Sequence, residues 1–143
     1  MNSINKTLVY DRLSLINDAV IKLKELSLIP LNHFINSIEA AAAESYLRRA
    51  LEAIFDVGRH ILSKIGEKEL AAEYKSIARG LVINGVINSD IGNTLLNMAG
   101  YRNRLVHLYH QVTDEELYQI LQNNLGDIRQ FVSQIKQYVG KCL

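Results

Sequence analysis

The segment from Arg102 to Tyr109 reads Arg-Asn-Arg-Leu-Val-His-Leu-Tyr and concentrates side chains that can act on a phosphodiester. A guanidinium binds phosphate through paired planar donors, and an imidazole transfers protons near neutral pH. RNA carries its own nucleophile, the ribose 2′-hydroxyl, so its cleavage needs only proton transfer and stabilisation of charge on the phosphoryl oxygens. Arg102 and His107 can supply these two functions, which predicts cleavage of RNA without a metal or a cofactor.

Helical geometry places the polar residues of this segment on one face. At about 100° per residue, Arg102, Asn103, His107 and His110 lie together, and most apolar residues of 98–108 lie opposite. A polar helix face is usually just exposed to solvent, and His110 fits that interpretation or an accessory role. For His107 a catalytic role is favoured, because Arg102 and Asn103 lie on the same helical face. One imidazole cannot easily serve both ends of the reaction, so a two-fold dimer that supplies a second His107 is expected.

The apolar residues recur at helical spacing along nearly the whole chain, which predicts an all-α fold. We expect an up-and-down antiparallel bundle of four long helices plus one or two short ones. Gly58 lies on the apolar stripe of the second helix, which suggests close approach by another backbone. The predicted segments are a first helix with stripe Val9–Leu23, a second from Ala40 to Ile65, a third over Glu69–Val82, a fourth from a cap at Ser89 or Asp90 to Tyr109, and a last helix opened by the capping box Thr113–Glu116 and continuing to Tyr138.

Length and composition limit the possible classes of protein. The chain has 143 residues, a formal net charge of +1 and 48% hydrophobic residues, which predicts one domain over residues 1–143. Because the net charge is small, RNA contacts must come from local clusters of cations. No apolar run approaches the roughly 18 residues of a membrane span, and the N-terminus lacks a signal-peptide core. With a lone cysteine, Cys142, these features predict a cytoplasmic protein.

The polar segment also carries a family resemblance. Arg102, Asn103 and His107 match the Arg-x₄-His motif of the HEPN superfamily, with a polar residue after the arginine. Tyr109 extends the match to Arg-x₄-His-x-Tyr, which resembles the HepT-like toxins of HEPN–MNT toxin–antitoxin pairs. The flanking sequence fits as well, so that the resemblance covers roughly residues 5–138.

The resemblance implies a homodimeric endoribonuclease of helical-bundle fold, with the motifs facing each other across the dimer cleft. Arg102 would bind the scissile phosphate, His107 would act as general acid or base, and Asn103 would orient either. Tyr109 resembles the tyrosine that a cognate minimal nucleotidyltransferase antitoxin modifies with AMP. The implied substrate is RNA, with transfer RNA favoured, and the toxin could assemble further with its antitoxin. The alternatives are a non-catalytic HEPN subunit that holds substrate or nucleotidyltransferase, and a purely structural dimerisation bundle.

Other polar residues give weaker signals. Asp56 and His60 are four residues apart on one helical face, which favours a local hydrogen-bonded pair over an accessory role for Asp56 near the cleft. A metal site is not expected, because no cysteine cluster occurs and no carboxylate accompanies His107 and His110. Five scattered cations could track an RNA backbone, although such residues are usually only solvated. These cations are Arg48, Arg49, Arg59, Lys64 and Lys75.

Overall fold

The predicted all-helical bundle is confirmed in the computed structural model, which describes residues 3–106 and 112–142. Within the described residues four helices are long, as expected, whereas three α-helices and a 3₁₀ helix are short, which is more than the one or two short helices expected. None of the helices in these two ranges is long and apolar enough to cross a membrane. The helices are α1 (Lys6–Leu26), α2 (Leu31–Phe34), α3 (Ile38–Lys64), the 3₁₀ helix (Lys68–Ala72), α4 (Tyr74–Ile83), α5 (Ser89–Val106), α6 (Asp114–Asn123) and α7 (Leu125–Gly140).

Helices α1 and α3 form the regular part of the bundle and pack along each other. Asn5 Oδ1 accepts the amide of Leu8 at the start of α1, and Ser37 Oγ accepts the amide of Ala40 at the start of α3. Both contacts satisfy amides that a helix leaves without an internal partner. The stripes predicted for these helices are buried, apart from Ile65, which is half-buried at the C-terminal end of α3.

The prediction of a single third helix over Glu69–Val82 is wrong. The structure has a 3₁₀ helix, then Glu73 in an extended conformation (φ −130°, ψ 147°), and then α4. The tighter 3₁₀ turn buries Ala71, and α4 then buries its own stripe through Ile77 and Leu81. The break makes Tyr74 the first residue of α4.

Two further boundaries differ from the expectation. The last helix divides at Asn124 (φ −117°, ψ −5°), whose amide nitrogen Nδ2 donates to Asp127 Oδ2 in the first turn of α7. Helix α5 is capped by Asn88, not by Ser89 or Asp90, because Asn88 Oδ1 accepts the amide of Ile91 at 2.9 Å. At both boundaries an asparagine side chain makes a local hydrogen bond to a residue three positions further on, in the first turn of the helix that follows.

Gly58 is approached closely by side chains of α4, and not by a backbone as the sequence suggested. A β-carbon on Gly58 would stand 2.6 Å from Ile77 Cγ2 and 3.1 Å from Leu81 Cδ1. The absence of a side chain therefore lets α4 lie directly against α3. This contact sets the position of α4 and of the tyrosine at its start.

Substituting Gly58 with alanine should lower the free energy of unfolding. We expect a loss of about 1–3 kcal/mol from overpacking, because the nearest atom belongs to a stiff β-branched side chain. The gain in helix propensity, about 1 kcal/mol, offsets part of that loss. Urea unfolding measures the difference. Gly100→Ala in α5 is the matched control, because the space that its β-carbon would occupy has no neighbouring atom within 4 Å, and it should be neutral or stabilising; equal behaviour of both variants would contradict the packing argument.

Candidate active site

The candidate site lies where α3, α4 and α5 meet, around the ring of Tyr74. On one side this ring packs against buried Phe55 of α3, with centroids 4.9 Å apart and planes inclined by 54°. The guanidinium carbon of Arg102 lies 4.6 Å from the ring centroid of Tyr74, and that of Arg59 lies 5.7 Å away. Both distances fall within the range of cation–π attraction. One core-anchored aromatic ring therefore holds two arginines from different helices.

Arg102 is half-buried and keeps an unused donor. Its Nε atom is shielded from water and has no hydrogen-bond partner in the described part of the chain. A buried donor without an acceptor costs roughly 1–3 kcal/mol, more when the group is charged. An anion bound at this guanidinium would offset that cost by compensating its charge, so the arrangement favours a phosphate or carboxylate ligand.

Arg59 is positioned by a carboxylate and by a backbone carbonyl. Its Nη1 lies 3.3 Å from Asp56 Oδ1, and its Nε donates to the Ala71 carbonyl at 3.3 Å. Asp56 Oδ2 also lies 3.8 Å from Arg12 Nε of α1. All three charged side chains are about half exposed, so these pairs orient Arg59 more than they stabilise the fold.

The prediction of a hydrogen-bonded pair between Asp56 and His60 is wrong, because each side chain has other partners. Asp56 pairs with the two arginines, whereas His60 Nε2 accepts the backbone amide of Asn5 at 2.9 Å. Accepting this bond requires a neutral imidazole. Burial lowers the pKa of His60, and the nearby charge of Lys64 lowers it further. His60 thus anchors the N-terminus of α1 and lies outside the cluster around Tyr74.

This contact should make stability depend on pH. The unfolded chain takes up a proton near the ordinary pKa of 6.5, while folded His60 takes it up only at lower pH. The contact between His60 and Asn5 therefore contributes fully to stability above pH 6.5. The free energy of unfolding should decline as the pH falls below that value. Urea midpoints between about pH 7.5 and 5.5 measure the trend. His60→Gln, which can still accept the Asn5 amide, should show a flatter profile; an unchanged slope would assign the effect to other groups.

An ion pair joins the two helices on either side of residues 107–111. Both terminal nitrogens of Arg104 donate to the two carboxylate oxygens of Glu116 at 2.7 Å. These bonds, and then the backbone amide of Thr113, hold the pKa of Glu116 below its usual range. The sequence indicated only a role in the capping box for Glu116 and did not predict this ion pair. Thr113 Oγ1 does accept the amide of Glu116, so that cap is confirmed, and the carboxylate has this additional role.

The remaining candidate residues divide between the groove and the segment outside the described ranges. Asn103 is exposed and lines an open groove of about 380 Å³. His107, Tyr109 and His110 lie outside the described residues. No group of three potential metal ligands from His, Cys, Asp and Glu occurs within 3–106 and 112–142. The groove is lined by Arg59, Ala72, Glu73, Tyr74, Lys75 and Asn103.

Comparison with known families identifies the family to which the chain belongs. The profile of a family described as ribonuclease HepT-like matches residues 16–135. The chain belongs to this family. The resemblance read from Arg102, His107 and Tyr109 is thereby confirmed, and so is the ribonuclease class. The matched range contains every residue of the candidate site described above except Arg12.

Two HepT proteins are similar in sequence. The "tRNA nuclease HepT" of Aphanizomenon flos-aquae is 25% identical over 140 residues, covering 97% of this chain and 95% of the relative. The "mRNA nuclease HepT" of Shewanella oneidensis is 28% identical over 92 residues, covering 63% of this chain and 67% of the relative. Both relatives are nucleases acting on RNA, but the class of RNA differs between them.

Solved structures share the fold at lower identity. The tri-AMPylated HEPN toxin of Shewanella oneidensis, in complex with an MNT antitoxin, matches with a TM-score of 0.79 and 21% identity, covering 91% of this chain and 97% of the other. The cytosolic protein YutE of Bacillus subtilis matches with a TM-score of 0.79 and 19% identity, covering 97% and 93%. These likenesses confirm the HEPN-like bundle.

Proposed function

We propose that this HepT-like ribonuclease is the toxin of a toxin–antitoxin pair and cleaves transfer RNA without a metal. The proposal rests on the surroundings of Arg102, the arginine of the family's Arg-x₄-His motif. Its guanidinium rests on Tyr74, and its shielded Nε lacks an acceptor among the described residues. This is a cation prepared for an anionic ligand, in a family of enzymes whose substrate is a polyanion.

The proposed reaction uses the ribose 2′-hydroxyl as nucleophile. His107 removes its proton, the 2′-oxygen forms a bond to phosphorus, and the bond from phosphorus to the 5′-oxygen breaks. The leaving 5′-oxygen takes a proton from an acid, supplied by His107 of the second protomer. Arg102 stabilises the charge on the phosphoryl oxygens, and Asn103 orients the phosphate or the imidazole. His110 is proposed as an accessory residue. The products are a 2′,3′-cyclic phosphate and a 5′-hydroxyl.

Transfer RNA is the proposed substrate because the relative that acts on it aligns with this chain almost from end to end. The relative that acts on messenger RNA aligns over a smaller share. A cleft between two protomers also suits a structured RNA with an exposed single-stranded end. Messenger RNA is the alternative that the same assay tests.

The test is incubation of purified protein with total transfer RNA and with messenger RNA, each with and without EDTA. We expect new ends in transfer RNA, equally abundant in both conditions, with a cyclic phosphate on the upstream fragment. Mass spectrometry that finds only 3′-hydroxyl ends would contradict the reaction. Binding of RNA without new ends would favour the non-catalytic subunit instead.

We also propose that a minimal nucleotidyltransferase antitoxin inhibits the enzyme by attaching AMP to Tyr109. The similar Shewanella oneidensis toxin is tri-AMPylated and in complex with an MNT antitoxin. An added nucleotide next to the cleft would block RNA sterically and repel it through its negative charge. Coexpression with the antitoxin should therefore add AMP to the parent chain and relieve its toxicity. Tyr109→Phe should acquire no AMP, and intact-mass measurement distinguishes the two; AMP found at another residue would contradict the assignment.

A further inference from the structure

We propose that the groove beside Arg102 binds a backbone phosphate of the nucleotide next to the cleaved bond, through Arg59 and Lys75. The inference rests on the proposed ribonuclease function and extends it from the reacting phosphate to its neighbour. Asn103 belongs both to the catalytic motif and to the lining of this groove. A strand whose reacting phosphate lies at Arg102 would therefore continue past Asn103 into the groove.

Positive charge is concentrated at this point of a chain that is almost neutral overall. Arg59 and Arg102 contact the same tyrosine ring, and Lys75 follows that tyrosine directly in sequence and is exposed. The formal net charge of the whole chain is only +1, so this cluster is a local feature. Several cations gathered in one place attract a polyanion more strongly than the same cations scattered over the surface.

The carboxylates near the groove leave most of this charge available. Asp56 lies close to both Arg12 and Arg59, so its single negative charge is shared between two arginines. Glu73 is the carboxylate among the residues that line the groove, and it is exposed. It shares that lining with two cations, Arg59 and Lys75, and would repel a phosphate bound there. We therefore expect the charge of Glu73 to weaken the binding of phosphate in the groove.

The shape of the groove favours a strand over a compact ligand. The groove is open to solvent and is not a closed pocket. Tyr74 is one of the residues that line the groove, is partly exposed and lies next to the two arginines. Open cationic channels with an aromatic side chain are typical of sites that follow single-stranded nucleic acid. A free mononucleotide phosphate shares the same chemistry, and the experiment separates the two sources.

The experiment measures binding without cleavage. The probe is a fluorescent 2′-O-methyl oligouridine of about 12 nucleotides, which lacks the nucleophilic hydroxyl. Its association constant is measured as a function of salt, since each phosphate neutralised contributes about 0.7 to the slope for a single strand. Lys75→Gln and Arg59→Gln should each lower the slope by about that amount and raise KM for RNA cleavage far more than they lower kcat.

Matched controls are available on α7, which does not line the groove. Arg129→Gln and Lys136→Gln remove exposed cations of the same types and should leave the slope at the parent value. Glu73→Gln should strengthen binding, which a purely structural role of this loop would not predict. Lys75 is exposed, so its variant tests the proposal even if Arg59→Gln disturbs the fold.

Two outcomes would overturn the inference. One is a salt slope in Lys75→Gln equal to that of the α7 controls, and the other is displacement of the probe by AMP as efficiently as by the unlabelled oligonucleotide. If the parent protein cleaves RNA in either case, the ribonuclease proposal stands and only the groove assignment fails. If the slope depends on Lys75 but no RNA is cut, the groove assignment stands and the ribonuclease proposal fails.

Discussion

Arg102→Ala should lower kcat for RNA cleavage by about 10²- to 10³-fold, the usual effect of removing one group that stabilises charge in a transition state. The pentacovalent phosphorus carries more negative charge than the substrate, and a guanidinium held in place meets that charge without reorganising. The fold should persist, because Arg102 contributes no described hydrogen bond and only a cation–π contact with Tyr74. Initial rates at saturating transfer RNA, with circular dichroism to verify folding, provide the measurement.

Two companion variants test why Arg102 is effective. Arg102→Lys keeps the charge but loses the planar fork, so it should recover little activity. Tyr74→Leu removes the ring beneath the guanidinium and should lower kcat more than it raises KM, which marks a positioning residue. Arg129→Ala on α7 is the control. If Arg102→Ala cleaved RNA at the parent rate, a catalytic role for Arg102 would be excluded.

The long helices could be predicted from sequence because their apolar stripes repeat without interruption. The two breaks at Glu73 and Asn124 could not, because apolar residues continue at helical spacing through both of them. Such breaks depend on how the flanking segments pack against the rest of the bundle, which periodicity does not report. The short helices that the sequence did not reveal are therefore those whose ends are decided by tertiary contacts.

The catalytic motif could be proposed from sequence because Arg102, Asn103 and His107 are close along the chain. Its surroundings could not, because Tyr74 and Arg59 reach Arg102 from other helices. From sequence, Arg59 and Lys75 could not be distinguished from other solvated surface cations, because their spacing follows no pattern. The weak signal for Tyr74 was its position three residues before Ile77, on a face that α3 covers.

His107→Ala should reduce RNA cleavage by about 10²- to 10⁴-fold and should relieve growth arrest on expression. The expectation follows from the proposed reaction, in which His107 is the group that moves protons at neutral pH. The ion pair between Arg104 and Glu116 joins the helices on both sides of the segment that contains this histidine. His33→Ala in α2 is the control and should remain toxic. Undiminished arrest with His107→Ala would contradict the general acid–base role.

The same variants test whether the active site is shared between protomers. Arg102→Ala and His107→Ala homodimers each lack one of the two groups entirely. A mixed dimer has one Arg102 and one His107, contributed by different chains, and both would face a single cleft if the site spans the two-fold axis. Coexpression of the two variants with different affinity tags should therefore restore a small part of the cleavage rate in the doubly purified species, because one arginine and one histidine again share a cleft while the second histidine of the proposed reaction is still missing. If each protomer worked alone, every chain in the mixture would remain defective and no activity would return.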